Sequence, residues 1–123
     1  MKNIVVGSLM LTSWVIASSS PALAATAKKM EMPSLARKHS CVACHAIDKK
    51  MVGPAWMDIS RKYKGATQYA YKGKEYTLED GLILKVSKGG SGVWGSMPMP
   101  ANSPAVKPAD IKELVQFILR LTK

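Results

Sequence analysis

The sequence is short of acidic residues, cysteine and histidine. Its 123 residues contain 8 Asp and Glu against 18 Lys and Arg, a formal net charge of +10, and only two Cys and two His. A zinc site would need further Cys or His ligands at matching spacing, so this class of site is not favoured. The excess of basic charge favours acidic partners and fast, salt-sensitive association. Because the lysines are scattered rather than clustered, charge alone does not indicate nucleic-acid binding.

The sequence also lacks an apolar run long enough to span a bilayer. The longest run covers residues 4–16, and residues 22–24 read Ala-Leu-Ala, which has the form of a signal-peptidase site. No cysteine follows closely, which argues against a lipid anchor. We therefore predict that residues 1–24 are a cleaved signal peptide. Residues 25–123 are then one periplasmic domain that does not span the membrane, and export argues against a nucleic-acid partner.

Four segments have the apolar spacing or the boundary residues of short helices. The predicted helices are residues 33–39 with Pro33 in the first turn, residues 56–63 ended by Gly65, a helix that starts at Thr77 and stops at Gly89, and a helix that Pro108 opens. The last has the clearest apolar stripe, at Ile111, Leu114, Val115, Ile118 and Leu121. The predicted fold class is an all-α domain of about four short helices.

Two segments between these helices are predicted to be non-helical. An excursion over residues 68–76 contains Lys72-Gly73-Lys74 and is read as a small hairpin around the glycine. Residues 89–104 are rich in Gly, Pro, Ser and Met, which indicates an irregular but shaped loop.

The motif that carries chemistry is Cys41-Val42-Ala43-Cys44-His45. Cys-x-x-Cys-His is the attachment signature of c-type haem: both thiols add to the porphyrin vinyl groups, and the histidine reaches the iron from the same side. A thioredoxin-like redox pair has the same cysteine spacing but belongs in a βαβ setting, which is not visible here. A plain disulfide would not require His45. We therefore predict one covalently attached haem c with His45 as an axial iron ligand.

The second axial ligand has to come from elsewhere in the chain. A methionine sulfur is a suitable soft ligand that raises the reduction potential. Met97 and Met99 lie in a segment braced by Pro98 and Pro100, whose stiffness limits the entropy lost on ligation. The residues alone leave Met97 and Met99 open. His39 would give bis-histidine ligation, but it precedes the motif closely and is better read as a surface residue at a helix end.

At this point the chain resembles the class I cytochromes c, in particular the short bacterial cytochrome c-551 type. The resemblance runs from about residue 31 to residue 123. Its specific stretches are residues 41–48 (CVACHAID), 51–55 (MVGPA) and 92–95 (GVWG), followed by Met99-Pro100 and Asn102. It implies the small helical cytochrome fold wrapped around one haem.

The resemblance also implies roles for single residues. His45 becomes the proximal ligand and Met99 the distal ligand. The Pro54 carbonyl would accept a hydrogen bond from the proximal imidazole, Trp94 would lie near a haem propionate, and Asn102 would hydrogen-bond near the methionine sulfur. The family often has Gly at the position of Ser40 and can place Arg at that of Lys85.

The expected function is outer-sphere electron transfer without an enzymatic reaction, because no nucleophile, base or open metal position is evident. The expected partners are acidic-surfaced redox proteins, donor and acceptor, including membrane oxidoreductases, and the protein is expected to be a monomer. Two alternatives stay open: a haem subunit permanently docked in a larger oxidoreductase, and a small-ligand-binding protein with an open iron site.

Overall fold

The computed structural model describes residues 29–123; the predicted signal peptide, residues 1–24, lies outside this range. Four α-helices are present in the described range, as the sequence predicts. Their bounds are α1 Ser34–Lys38, α2 Trp56–Lys62, α3 Leu78–Lys88 and α4 Pro108–Arg120. A single 3-10 turn, Cys41–Ala43, lies between α1 and α2.

The helix boundaries follow local signals in the sequence. Pro33 is the N-cap residue of α1, and Pro108 is the first residue of α4. Thr77 caps α3: its hydroxyl oxygen accepts from the Asp80 amide at 3.3 Å, and its hydroxyl donates to the Asp80 carboxylate at 2.8 Å. Gly89 ends α3 with φ 71°, a left-handed conformation that suits glycine.

The excursion between α2 and α3 is an antiparallel hairpin, as predicted. Strand β1, Gln68–Tyr71, pairs with β2, Lys74–Thr77, and Tyr69 faces Tyr76 across the pair. The turn at Lys72 and Gly73 has positive φ at both residues, which matches the twist of a two-residue hairpin. Tyr69 and Tyr71 alternate with exposed residues and bury the same face of β1.

The loop predicted over residues 89–104 contains a second hairpin, which is a correction to that prediction. Strand β3, Gly90–Gly92, pairs with β4, Gly95–Met99, with Gly90 opposite Met99. The physical reason is that Gly90, Gly92 and Gly95, all at positive φ, turn the chain back on itself. The segment contains few of the residue types that normally indicate strands. The domain is mostly helical with two small two-stranded sheets.

Helix α4 is the central helix of the domain, because α1, α2 and α3 all contact it. Two apolar clusters pack on different sides of this helix. The first consists of Ala36, Ile47, Trp56, Leu114, Ile118 and Leu121, and the second of Tyr69, Tyr71, Leu82, Val106, Ile111 and Val115. A cavity lies between them, lined by residues of both.

Candidate haem site

The first half of the site is the proximal segment, which we define as residues 40–54. The Cys41 carbonyl accepts hydrogen bonds from the amides of Cys44 at 3.2 Å and His45 at 3.0 Å, so a single tight turn holds both cysteines and the histidine together. Both thiols are free and partly exposed. Ser40 enters this turn with φ 59°, the left-handed region, which explains why a glycine suits this position.

Two contacts hold the imidazole of His45 in place. Its Nδ1–H donates to the Pro54 carbonyl at 2.8 Å, which leaves Nε2 as the nitrogen free to bind a metal. Gly53 lies directly against the ring: a Cβ there would be 2.5 Å from Cε1 of His45. Because Gly53 has no side chain, the imidazole has room to occupy this position.

The second half is the distal segment, which we define as residues 90–102. It contains the β3–β4 hairpin and ends at Asn102, whose amide donates to the Ser87 carbonyl at 3.1 Å. Met97 is 65% exposed, whereas Met99 is only partly exposed and pairs with Gly90. The position of Met99 is therefore the more constrained of the two.

One cavity brings together all the site residues that the sequence predicts. It is lined by Cys41, Cys44, His45, Pro54, Trp94, Met97, Met99 and Asn102, together with apolar residues of α2, α3 and α4. Trp94 lies at its rim, 40% exposed, with the Lys62 ammonium 5.7 Å from the ring centre.

Two polar residues of the cavity lining, Asn102 and Lys85, donate hydrogen bonds to backbone carbonyls. The side-chain amide of Asn102 donates to the carbonyls of Val86 at 3.0 Å and Pro100 at 3.3 Å. The Lys85 ammonium donates to the Gly90 carbonyl at 2.5 Å. The bonds from Lys85 to Gly90 and from Asn102 to Val86 join α3 to the distal segment, so they help to hold that segment in place.

Burial in the cavity wall disfavours charge on the side chains of Cys41, Lys85 and Tyr63. Burial raises the pKa of the Cys41 thiol and lowers the pKa of Lys85, and in each case the neutral form gains. Burial, with the neighbouring Tyr69 as a smaller cause, raises the pKa of Tyr63 to about 12. A lining of this kind suits a large apolar group rather than a charged substrate.

These residues fit haem c. Two free thiols with the required spacing adjoin an apolar cavity, and the proximal imidazole has its Nδ1 occupied and its Nε2 available. Met97 and Met99 of the distal segment line the same cavity. A helical domain that combines these features has the architecture of a monohaem c-type cytochrome.

Sequence reasoning missed three contributors to this arrangement. Gly53 and Gly89 are needed for close backbone or ring approaches that only the folded chain reveals. The sequence predicts a surface position for His39 at a helix end. It does follow the end of α1, but its side chain is 13% exposed and its Nε2–H donates to the Asp110 carboxylate at 2.8 Å. Asp110 lies in the first turn of α4, 71 residues from His39, so no local pattern connects the two.

Comparisons with known proteins identify the family. Residues 30–122 match the family model described as Cytochrome c. Cytochrome c-551 of Allochromatium vinosum is 42% identical over 87 residues, 71% of this chain and 82% of that protein. Cytochrome c-552 of Nitrosomonas europaea is 39% identical over 112 residues, 91% of this chain and 99% of that protein. The crystal structure of wild-type N. europaea cytochrome c552 matches with a TM-score of 0.59 and 41% identity, covering 70% of this chain and 94% of that one.

The chain belongs to the cytochrome c family. The predicted class I cytochrome fold is thereby confirmed, and so is the cofactor, a covalently attached haem c whose attachment motif includes Cys41 and Cys44. The protein is a small electron-carrier cytochrome and not an enzyme. Among residues 29–123, none of the helices combines the length and apolar character needed to cross a bilayer.

Proposed function

We propose that this protein is a periplasmic electron carrier whose haem iron is ligated by His45 and Met99. The observation that carries the proposal is the shared cavity, which Cys41, Cys44 and His45 line together with Met99 from a distant part of the chain. Haem c supplies a one-electron Fe(III)/Fe(II) couple there, so one electron is taken from a donor and the same electron is passed to an acceptor.

The chain's own residues hold the cofactor in this proposal. The Cys41 and Cys44 thiols form the thioether bonds. Nε2 of His45 is the proximal ligand, and the Pro54 carbonyl orients its ring and increases its basicity through the 2.8 Å hydrogen bond. Gly53 and the Pro54 carbonyl hold the imidazole in one position, so the ring would need little rearrangement when the haem changes oxidation state.

Met99 is favoured over Met97 as the distal ligand by its environment. Met97 is largely in solvent, whereas Met99 is partly buried and its backbone adjoins Gly89 and Gly90. A pre-positioned ligand loses less conformational entropy on binding than a mobile one. We assign Trp94 a role near a haem propionate. We place Asn102 near the methionine sulfur, where its side-chain amide holds the distal segment through the Val86 and Pro100 carbonyls.

The exposed edge of the cavity suits brief docking with redox proteins. Val93, Trp94 and Met97 are exposed apolar residues, and Lys62 lies beside Trp94. Without residues 1–24 the chain carries 17 Lys and Arg against 8 Asp and Glu. An apolar contact within a basic surface favours acidic donors and acceptors, including membrane oxidoreductases, and it binds them weakly and fast.

The cellular placement rests on residues 1–24, which we propose to be a cleaved signal peptide followed by a monomeric periplasmic domain. Mass spectrometry of the protein purified from the periplasm tests this. We expect a mass that corresponds to residues 25–123 plus one haem. A mass that includes the first 24 residues would contradict it.

Optical spectroscopy tests the ligand assignment. Methionine-ligated ferric haem has a weak near-infrared charge-transfer band, which the oxidised wild-type protein should show. Met99→Ala should abolish the band and lower the midpoint potential, whereas the matched Met97→Ala should preserve both. Absence of the band in the wild type would instead support the open iron site.

The ionic-strength dependence of electron transfer tests the docking mode. With an acidic partner, the bimolecular rate should fall as salt is raised, because screening removes long-range attraction. A rate that does not change with salt would eliminate electrostatic steering.

A further inference from the structure

The β1–β2 hairpin is packed along α3 and reaches the end of this helix that adjoins the distal segment. Near the start of α3, Gly81 allows β1 to approach: a Cβ on Gly81 would be 2.7 Å from Cβ of Tyr69. Near the end of α3, Tyr71 is only 8% exposed. The hairpin therefore contacts α3 along most of its length, with the aromatic face of β1 turned toward it.

Tyr71 makes a polar contact at that second point. Its hydroxyl donates to the carbonyl of Gly89 at 3.1 Å, in a buried position. Gly89 is the residue that ends α3, and its own amide donates to the Lys85 carbonyl at 2.8 Å. A buried carbonyl that loses its donor costs more than a hydrogen bond exposed to water, so this contact stabilises one backbone position at the end of α3.

Gly89 also lies directly against the distal segment. A Cβ on Gly89 would collide with the Met99 carbonyl oxygen and would lie 2.8 Å from the carbonyl carbon of Pro100. The end of the distal segment binds the same helix end, since the amides of Asn102 and of Ser103, which follows it, donate to the Ser87 carbonyl at 3.1 and 3.0 Å. The last turn of α3 is therefore the support of the Met99 backbone.

We propose that Tyr71 is a positioning residue for Met99 and that it acts through Gly89. The Tyr71 hydroxyl fixes the carbonyl of Gly89, which follows α3. Gly89 in turn fixes the backbone of Met99 and Pro100, and Met99 is thereby held toward the cavity. The inference rests on the proposed function, because it has a redox consequence only if Met99 binds the iron. It gives the hairpin over residues 68–77 a function that the attachment motif does not explain.

The test compares Tyr71→Phe with Tyr76→Phe in the ferric holoprotein. Phe keeps the ring of Tyr71 and removes only its hydroxyl. Tyr76 lies on the other strand of the same hairpin, is partly buried in the same apolar cluster, and is the matched control. The readout is titration with imidazole, which competes for the iron position that the methionine vacates.

Tyr71→Phe should raise the apparent affinity for imidazole about three- to tenfold, the factor expected from one buried hydrogen bond. Tyr76→Phe should stay within about twofold of the wild type. Hydrogen exchange at the Asn102 and Ser103 amides should also accelerate in Tyr71→Phe alone. A role limited to global stability would not change imidazole affinity, because nearly all molecules remain folded in the absence of denaturant.

Met99→Ala separates failure of this inference from failure of the proposed function. If Met99→Ala keeps the near-infrared band and wild-type imidazole affinity, the ligand assignment itself is wrong. If Met99→Ala loses the band but Tyr71→Phe and Tyr76→Phe behave alike in imidazole titration and hydrogen exchange, Met99 is the ligand and the positioning role of Tyr71 is overturned.

Discussion

The proximal and distal segments hold the two sides of the site in different ways. The proximal segment is local: both thiols, the imidazole and the carbonyl that orients it lie within residues 41–54, and short backbone bonds define their arrangement. The distal segment depends on distant partners. Met99 is supported by Gly89 at the end of α3, and Gly89 in turn by Tyr71 of the hairpin. Attachment and ligation can therefore be disturbed separately.

The largest effect is expected from removing the attachment itself. The double substitution of Cys41 and Cys44 by Ala should abolish covalent haem, because no other cysteine is available in the chain. Haem-specific staining of a denaturing gel measures this, with Met97→Ala as a control that should stain like the wild type. Retained staining in the double variant would contradict the assignment.

Gly89→Ala should break the distal side while leaving haem attached. The new Cβ would collide with the Met99 backbone, and φ of 71° disfavours alanine. We expect normal haem staining, loss of the near-infrared band, and a decrease of at least about 1–3 kcal/mol in the free energy of unfolding. Gly73→Asn is the control, at a positive-φ turn with nothing within 4 Å. A normal band in Gly89→Ala would show that Met99 does not need this support.

Gly53→Ala should disturb the proximal side by steric contact alone. The Cβ would lie 2.5 Å from Cε1 of His45, so the imidazole must shift or the backbone must move. Overpacking of this kind costs about 1–3 kcal/mol, which denaturant unfolding of the holoprotein measures. The midpoint potential should change as well. A stability and a potential equal to those of the wild type would mean that the ring has room that the structure does not show.

The smallest effect concerns the connection between α1 and α4. Asp110→Ala removes the partner of partly buried His39 and should cost about 1 kcal/mol of unfolding free energy. Asp58→Ala is a close control, since Asp58 also lies in the first turn of its helix but pairs with exposed Arg61. Its loss should be below about 0.5 kcal/mol. Equal losses would show that helix-dipole interaction alone explains both.

Features that depend on neighbouring residues could be predicted from the sequence, whereas features that depend on distant partners could not. The motif at residues 41–45 was readable because the chemistry requires residues at fixed short spacing, and Thr77 and Pro108 indicated helix starts for equally local reasons. The strands of the second hairpin were missed because they contain three glycines and one proline, residue types with low strand propensity. Tyr71 with Gly89 and His39 with Asp110 could not be found, since each pair joins residues far apart in sequence.

Proton-detected NMR of the reduced holoprotein with labelled methionine methyl groups tests the central claim, that Met99 is the residue at the iron, most directly. A methyl group held above the haem is shifted strongly upfield by the ring current. The account predicts one such resonance, absent in Met99→Leu and retained in Met97→Leu. A shifted resonance that survives in Met99→Leu and disappears in Met97→Leu, or no shifted methyl in the wild-type protein, would contradict it.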